Sequence, residues 1–451
     1  RIAAAARPGP VMTRWLRLWA QRRRHPQRYA RLAQLLPALR LTRSELLQRQ
    51  RAAFDAIARY AAANTDYYES RFASAMQSAG QYLLPGDLPI LEKSDVIAHR
   101  DELLARQFSP HSTRRGHTGG STGSPLSFYY DDAKHELMLA GMMRGFMLSG
   151  WRPGQKLMYL WGASRDVASS GIFGGPQQRW LSSEMTVAAV EYSEQRLSAW
   201  VRLIRRWRPV LLYGYASALS ELARFVIDSR CVLPSRLLGV YSTAEVLHDD
   251  QRALIEQAFA CKVFNQYGCR EVPNIAWECR HGNMHVFSDM VQLESVSDAE
   301  GDRLLVTSLT DRVMPFIRYA LGDSGRLVDG QCPCGLGFPM MQMDLCRNND
   351  LVRTRDGRRL HPAFFNRLMY GLAQVSQYQW VQVSPDALKL NLVSSAPLPP
   401  GAVEAIRAAV RAGVDPQMTL EITYLDRIPR TAAGKHRFVV GLDDAGMAEL
   451  R

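Results

Sequence analysis

Residues 117–130 read HTGGSTGSPLSFYY, with three glycines and four hydroxyls among the first eight. Glycines let successive backbone N–H groups turn toward one oxyanion, and Thr118, Ser121 and Thr122 add hydroxyl donors. The stretch therefore has the composition of a phosphate cradle. It is not a Walker A loop, because no Lys-Ser/Thr follows the last glycine at the required spacing, and LSFYYD after it reads as a strand rather than a helix. A flexible Gly/Ser turn has the same composition, so the loop alone does not decide. A second set of chemistry-bearing residues is Cys279, His285, Cys332 and Cys334. Three thiolates and an imidazole satisfy tetrahedral Zn²⁺. The Cys332-x-Cys334 pair is tighter than the usual C-x₂-C, and His281 is a rival fourth ligand. Four reduced, partly buried side chains are the other reading, the one that suits Cys231 and Cys261.

These residues need a scaffold. SELLQRQRAAFDAIARYAAANT predicts a helix over 44–65, capped by Ser44, with Leu47, Phe54, Ile57 and Ala61 on its apolar face. Between 155 and 267, strand-like LMYLWG, VLLYGY, LLGVYS and KVFNQYG alternate with helical SALSELARFVIDS and DDQRALIEQAFA. Such alternation argues for a largely parallel sheet with covering helices. From 284 to 328 the pattern turns strand-rich, in MHVFSDMVQLESV, RLLVTSL and PFIRYAL. After about residue 346 a smaller α/β unit follows, with the hairpin QYQWVQVSPDALKLNLVSS, a helix near 401–412 and the strand MTLEITYL.

Composition narrows the function classes. Of the 451 residues, 47% are apolar and 22% charged, an ordinary globular balance. The most apolar helical stretch, 135–151, is broken by Glu136 and Arg144, so no segment reads as a membrane span. No signal peptide is expected, Met12 is a candidate start, and seven cysteines in a chain this long point to a reducing cytoplasm rather than a disulfide framework. The net charge of +13 is concentrated: residues 1–51 hold thirteen arginines, no lysine and one acid, Glu45. The rest of the chain is nearly neutral, which argues against a nucleic-acid-binding body. Within the arm, Trp15, Leu18 and Trp19 share a helical face amid arginines. That pattern suits an anionic membrane surface or an acidic partner, or equally a basic helix packed on its own domain.

Thr118-Gly119-Gly120-Ser121-Thr122-Gly123 resembles the phosphate loop of adenylate-forming enzymes, usually written T/S-S-G-S/T-T-G. Four further stretches follow in that superfamily's order. STAEVL (242–247) is similar to the segment lining the adenine, and NQYGCRE (265–271) to the Tyr-Gly-x-x-Glu motif. RYALGD (318–323) resembles the ribose-binding segment, and IPRTAAGKHR (428–437) the C-terminal segment that carries the adenylation lysine. The N-terminal helical arm, MPFIRYALGD and a Cys-Pro-Cys-Gly after the ribose motif resemble the phenylacetate–CoA ligase branch with its CapK-like relatives. The resemblance runs from about residue 44 to the C-terminus.

This resemblance implies an α/β fold: a basic arm (1–43), a large adenylation domain with mixed sheets (44–345) and a small mobile α+β lid domain (346–451). The implied reaction is ATP-dependent activation of a carboxylic acid, expected to be aromatic, to an acyl-adenylate with release of pyrophosphate, then transfer to CoA. Two anions meet in the first step, so charge stabilisation is the main task. By resemblance, Thr118, Gly120, Ser121, Thr122 and Gly123 would hold the β- and γ-phosphates, and Ser242, Ala244 and Glu245 would line the adenine. Tyr267, beside Gly268, would stack on the adenine, Asp323 would take the ribose hydroxyls, and Glu271 would coordinate Mg²⁺. Lys435 would neutralise charge between the carboxylate and the α-phosphate.

Some features depart from the family pattern. The hinge, usually Gly-Arg-x-Asp-Asp, reads Cys346-Arg347-Asn348-Asn349-Asp350, which keeps Arg347 as a nucleotide contact and places Asn349 at the hinge. Asn absorbs a φ/ψ change readily, so adenylation is unthreatened and the acceptor is the open point. Gly119 stands where the loop commonly has serine. Some relatives in this branch carry a structural zinc at matching Cys/His positions, which bears on Cys279, His285, Cys332 and Cys334. Trp161 and Tyr215 lie at strand ends facing the ligand side and suit an aryl acid, although core packing explains them equally. The implied cofactors are ATP, Mg²⁺, CoA and structural Zn²⁺. The partners are a small carboxylic acid, an acyl acceptor and a second copy of the chain as a homodimer, with no nucleic acid. Two alternatives stand beside this: transfer to an amine or carrier-protein thiol, and a non-catalytic membrane-docking scaffold that keeps the fold.

Overall fold

The computed structural model describes residues 10–78, 80–117, 126–161, 182–189, 193–233, 237–298, 301–347, 352–355, 359–360, 364–365, 368–369, 372, 374–428 and 437–442. Three N-terminal helices, α1 (Pro10–Arg24), α2 (Pro26–Leu35) and α3 (Arg43–Asn64), lead into the body. α3 is capped by Thr42, not Ser44: Thr42 Oγ1 accepts from the Glu45 N–H (3.3 Å) and the Glu45 carboxylate accepts from the Thr42 N–H (2.8 Å). This reciprocal capping box sets the helix phase. Leu46, Gln50, Phe54, Ile57 and Ala61 then face inward, while Leu47 is 42% exposed.

β1 (Arg114–His117) and β2 (Ser127–Tyr130) pair antiparallel, with His117 opposite Ser127. They bracket residues 118–126 and precede α4 (Asp132–Phe146). An alternation of strands and helices then follows, with β4 and α5 beyond the elements expected: β3 (Leu157–Trp161), β4 (Glu184–Ala188), α5 (Glu194–Trp207), β5 (Leu211–Tyr215), α6 (Ala216–Asp228), β6 (Gly239–Thr243), α7 (Asp249–Phe259) and β7 (Val263–Tyr267). β4, β3, β5, β6 and β7 are neighbours in that order and run parallel. β8 (Ala276–Glu278) and β9 (Met284–Val286) continue the sheet antiparallel. β10 (Val291–Asp298), β11 (Gly301–Ser308) and β12 (Tyr319–Ala320) make a separate three-stranded sheet. β13 (Asp323–Val328) and β14 (Met340–Arg347) return to close the nine-stranded sheet.

The large sheet is covered on both faces, which is why its parallel strands read as continuous apolar runs. Leu157, Tyr159, Leu211 and Tyr213 enter the core shared with α2, α3 and α4. Met158, Leu160 and Leu212 enter the core under α5, α6 and α7. Helix α4 lies close on the sheet at Gly145, where an added Cβ would meet Trp277 at 2.1 Å, and Tyr241 Oη donates to the Gly145 carbonyl (3.0 Å). A third core lies entirely within Val352–Val439. It is built on strands Val375–Ser384, Ala387–Ser394, Thr419–Tyr424 and Val439–Val440 with helix Pro400–Gly413.

Two expected strands differ in extent. MHVFSDMVQLESV splits because Phe287–Met290 forms a turn, with Met290 N bonded to Phe287 O (2.8 Å) and Asp289 paired with Arg144. In PFIRYAL only Tyr319–Ala320 is extended, since Arg318 adopts φ 51° and its side chain pairs with Glu294.

Candidate active site

Four of the residues expected from sequence lie on one rim. Trp161 ends β3, Tyr215 ends β5, Ser242 lies near the end of β6 and Tyr267 ends β7, all at the carboxyl ends of adjacent parallel strands. That rim is where open α/β sheets bind ligands. A buried glutamine ties three of these strands together. Gln266 Oε1 accepts from Tyr213 Oη (3.1 Å) and from Thr243 Oγ1, so β5, β6 and β7 share one polar anchor under the rim.

Tyr267 and Asp323 are joined directly: Tyr267 Oη donates to Asp323 Oδ2 at 2.9 Å, fixing one carboxylate oxygen of a residue only 8% exposed. Asp323 is in turn the cross-strand partner of Arg347, so these two residues, 24 apart in the chain, lie side by side in β13 and β14. Arg347 is described through its backbone alone. Ser242 Oγ is buried without a hydrogen-bond partner among the described residues. The next turn carries Ala244 at φ 66°, a conformation that costs a non-glycine residue on the order of 1 kcal/mol and clusters at functional sites. Glu245 points to the first turn of α6, where its carboxylate accepts from the Ser217 N–H (2.8 Å) and hydroxyl (3.0 Å). A helix N-terminus stabilises that charge.

Glu271 is 4% exposed, and its Oε1 accepts from Tyr319 Oη at 3.3 Å. Burial, then the charge of Glu271, holds the Tyr319 phenol well above its ordinary value, so it stays a donor. From below, Lys134 Nζ donates to the Glu271 backbone carbonyl (2.9 Å) and pairs with the fully buried Asp311 carboxylate. Burial pushes Asp311 up, while Lys134 and the Val313 and Met314 amides pull it back. Arg270 Nη1 donates to the His117 carbonyl (3.2 Å), which ties this motif to the last described residue before the glycine-rich stretch. Sequence reasoning did not single out Lys134, Asp311, Tyr319, Gln266 or Arg270. Gln266, Arg270 and Tyr319 lie within the NQYGCRE and RYALGD stretches, which do not display their partners 23 to 153 residues away, and no local pattern marks Lys134 or Asp311.

Thr118, Gly120, Ser121, Thr122, Gly123, Asn349 and Lys435 lie outside the described residues. The aromatic pair is in contact: Trp161 meets Tyr215 edge-on at 5.0 Å and stacks on Tyr213 at 5.8 Å. Tyr215 is 2% exposed, so only Trp161 of the two offers appreciable surface. One ring contact links the body to the C-terminal unit, His248 against Phe438 at 4.9 Å.

Away from this rim, Cys279, His285, Cys332 and Cys334 come together with their ligand atoms all within 4.8 Å of one another. Cys279 and Cys332 sulfurs are 3.6 Å apart, and Cys334 Sγ lies 3.2 Å from His285 Nε2. The edges of a zinc tetrahedron with these ligands run about 3.5–3.8 Å, so the set fits. The His281 backbone amide donates to Cys279 Sγ (3.4 Å) and the Asn283 side-chain amide to Cys332 Sγ (3.1 Å). His281 itself is exposed and outside the cluster.

The fold is similar to that of solved CoA ligases. A crystal structure of 2-hydroxyisobutyryl-CoA ligase in the postadenylation state, with an acyl-AMP bound, superposes with TM-score 0.67 at 17% identity over 92% of this chain and 93% of that one. Residues 352–441 match the CapK C-terminal domain, and the chain is similar over most of its length to CapK and to phenylacetate–CoA ligases. It is 22% identical to Protein CapK of Staphylococcus aureus over 413 residues, 88% of this chain and 89% of the relative. Against a phenylacetate-coenzyme A ligase of Thermus thermophilus it is 26% identical over 396 residues, 79% and 86% of the two chains.

Proposed function

We propose that the chain is an AMP-forming acid–CoA ligase. A substrate carboxylate oxygen bonds to the α-phosphorus of ATP as the bond to pyrophosphate breaks; the CoA thiol then attacks the acyl carbon, and AMP leaves with the bonding pair. The observation that carries this reading is the convergence of Tyr267, Asp323 and Glu271 at the strand rim, in a chain whose relatives include phenylacetate–CoA ligases. Asp323, oriented by Tyr267, accepts the ribose hydroxyls. Ser242 and Ala244 border the adenine, and residues 118–123, which follow the Arg270-bonded His117 in the chain, take the β- and γ-phosphates. Glu271 would hold Mg²⁺, whose charge offsets that of the phosphates. Lys435 neutralises the entering carboxylate.

Residues 44–345 then form the adenylation body, 346–451 the lid that turns about Asn349 with Arg347 at the nucleotide, and 1–43 the arm. The exposed part of Trp161 over Tyr215 forms one wall of an acyl pocket suited to an aryl or arylacetic acid. Cys279, His285, Cys332 and Cys334 would hold a structural zinc that joins the β8–β9 turn to the segment before β14 and takes no part in catalysis. The reaction draws on ATP and CoA and suits a cytoplasmic enzyme. The altered hinge favours one second reading, the same adenylation with an amine or carrier-protein thiol as acceptor.

Lys435→Ala separates the half-reactions. Acyl-adenylate formation is expected to disappear, while thioester formation from supplied acyl-adenylate continues. Equal loss of both would remove Lys435 from the assigned role.

A further inference from the structure

Helix α1 is held to the body by one side only. Leu18 and Gln21 are buried, and Arg14 and Arg17 donate to the carbonyls of Pro153 (3.3 Å) and Gly154 (3.0 Å). Gly154 permits this contact, since a Cβ there would meet the Arg14 carbonyl at 2.8 Å. At 100° per residue the opposite side of α1 carries Trp15, Leu16 and Trp19, which are 59%, 39% and 55% exposed. Scattered exposed apolar residues need no explanation. Two indoles and a leucine within five residues of one helix, all turned away from the core, do.

Their surroundings are cationic. The Arg23 guanidinium lies 4.4 Å from the Trp19 ring centroid and Arg14 lies 5.8 Å from that of Trp15. α1 contains no acidic residue and ends on Arg22, Arg23 and Arg24, all exposed. The basic character continues onto the body: Lys156, which donates to the Trp207 carbonyl (2.6 Å), has its pKa lowered by burial and by the nearby charges of Arg17 and Arg208. Exposed indoles beside guanidinium groups, on a helix without an acidic residue, match the two layers of a bilayer surface. Anionic headgroups meet the arginines, and the acyl boundary just below takes the indoles.

We propose that the outer face of α1 docks the enzyme on an anionic lipid bilayer, with Trp15, Leu16 and Trp19 entering the headgroup–acyl boundary and Arg22, Arg23 and Arg24 neutralising headgroups. Among the described residues no helix is long and apolar enough to cross a membrane, so attachment through this face is peripheral. The surface is remote from the adenylate-forming rim in sequence and does not depend on the reaction assigned there.

Co-sedimentation of the full chain with phosphatidylcholine vesicles, with and without phosphatidylserine, tests it. Binding is expected only with phosphatidylserine, is expected to fall as salt rises, and to be accompanied by a blue shift of tryptophan emission. Trp15→Ala/Trp19→Ala should weaken binding at least about tenfold. Arg22→Ser/Arg23→Ser/Arg24→Ser should weaken it and flatten the salt dependence. Because these side chains are exposed, both variants should unfold at the wild-type denaturant midpoint, which separates lost docking from lost folding. Failure of wild type to bind either vesicle, equal binding to neutral vesicles, or full binding by the tryptophan variant would overturn the proposal. Salt-sensitive binding to an acidic protein but not to lipid would overturn it as well.

Discussion

The Lys134–Asp311 pair beneath the Glu271 motif gives the sharpest test of how the site is held. Asp311 has no exposed side-chain surface and Lys134 has 10%. The Lys134 ammonium also lies 5.4 Å from the Phe128 ring centroid and 5.6 Å from that of Phe316, so its surroundings are aromatic. Lys134→Met keeps an apolar chain of similar length and removes the cation together with its hydrogen bond to the Glu271 carbonyl. Breaking one side of a buried ion pair costs about 3–5 kcal/mol, because the remaining charge stays desolvated. The Asp311 carboxyl, raised by burial and restrained by Lys134, should rise further in the variant. A group whose folded pKa lies above its unfolded value stabilises the fold below the unfolded pKa and loses that contribution as pH rises through the folded one. The deficit of Lys134→Met is therefore largest at neutral pH and shrinks as pH falls toward the ordinary carboxylate range. Adding Asp311→Asn should recover most of it, since Asn can still accept from the Val313 amide, which donates to Asp311 at 3.1 Å. Denaturant unfolding of the three variants against wild type measures this. A Lys134→Met protein as stable as wild type at neutral pH, or one that the second substitution fails to rescue, would refute the reasoning.

Other outcomes follow from the same geometry. Tyr267→Phe removes a hydrogen bond to a charged group and should cost about 1.5–3 kcal/mol in ATP-dependent kcat/KM, with the unfolding midpoint nearly unchanged; an unaffected kcat/KM would detach Tyr267 from nucleotide binding. Metal analysis of purified protein should find about one zinc per chain, lost in Cys332→Ser/Cys334→Ser together with stability; zinc-free wild type would end the zinc assignment. Thr42→Ala should destabilise the protein by about 1 kcal/mol, whereas Ser44→Ala should change little; the reverse order would contradict the capping box.

Much of this architecture is legible in the sequence because its signals are local. Four of the five parallel strands between Leu157 and Tyr267 sit where their apolar runs place them, with helices Ala216–Asp228 and Asp249–Phe259 in two of the intervals; strand Glu184–Ala188 and helix Glu194–Trp207 are additional. Errors arise where a non-local or backbone effect decides. Ser44 and Thr42 are both capping residue types, and the Glu45 carboxylate reaching back to Thr42 selects between them. Leu47 belongs to an apolar pattern in the sequence, but the phase set by that cap turns it outward. The strand expected over PFIRYAL is cut short by the left-handed Arg318, whose side chain finds Glu294 and the Leu88 carbonyl. In the site, Tyr267, Glu271 and Asp323 carry recognisable motifs. The residues that hold them, Lys134 from α4, Asp311 after β11 and Arg270 against His117, make contacts across 137 to 177 residues that no window of sequence displays.

The measurement closest to the central claim is ATP–pyrophosphate exchange without CoA, over a panel of aryl, arylacetic, fatty and amino acids. Exchange dependent on one class of acid, with aryl or arylacetic acids foremost, is the result this account predicts, and it would establish adenylation before any acceptor is involved. Silence across the panel from a protein that still binds ATP would contradict it and leave the fold without the reaction assigned to it.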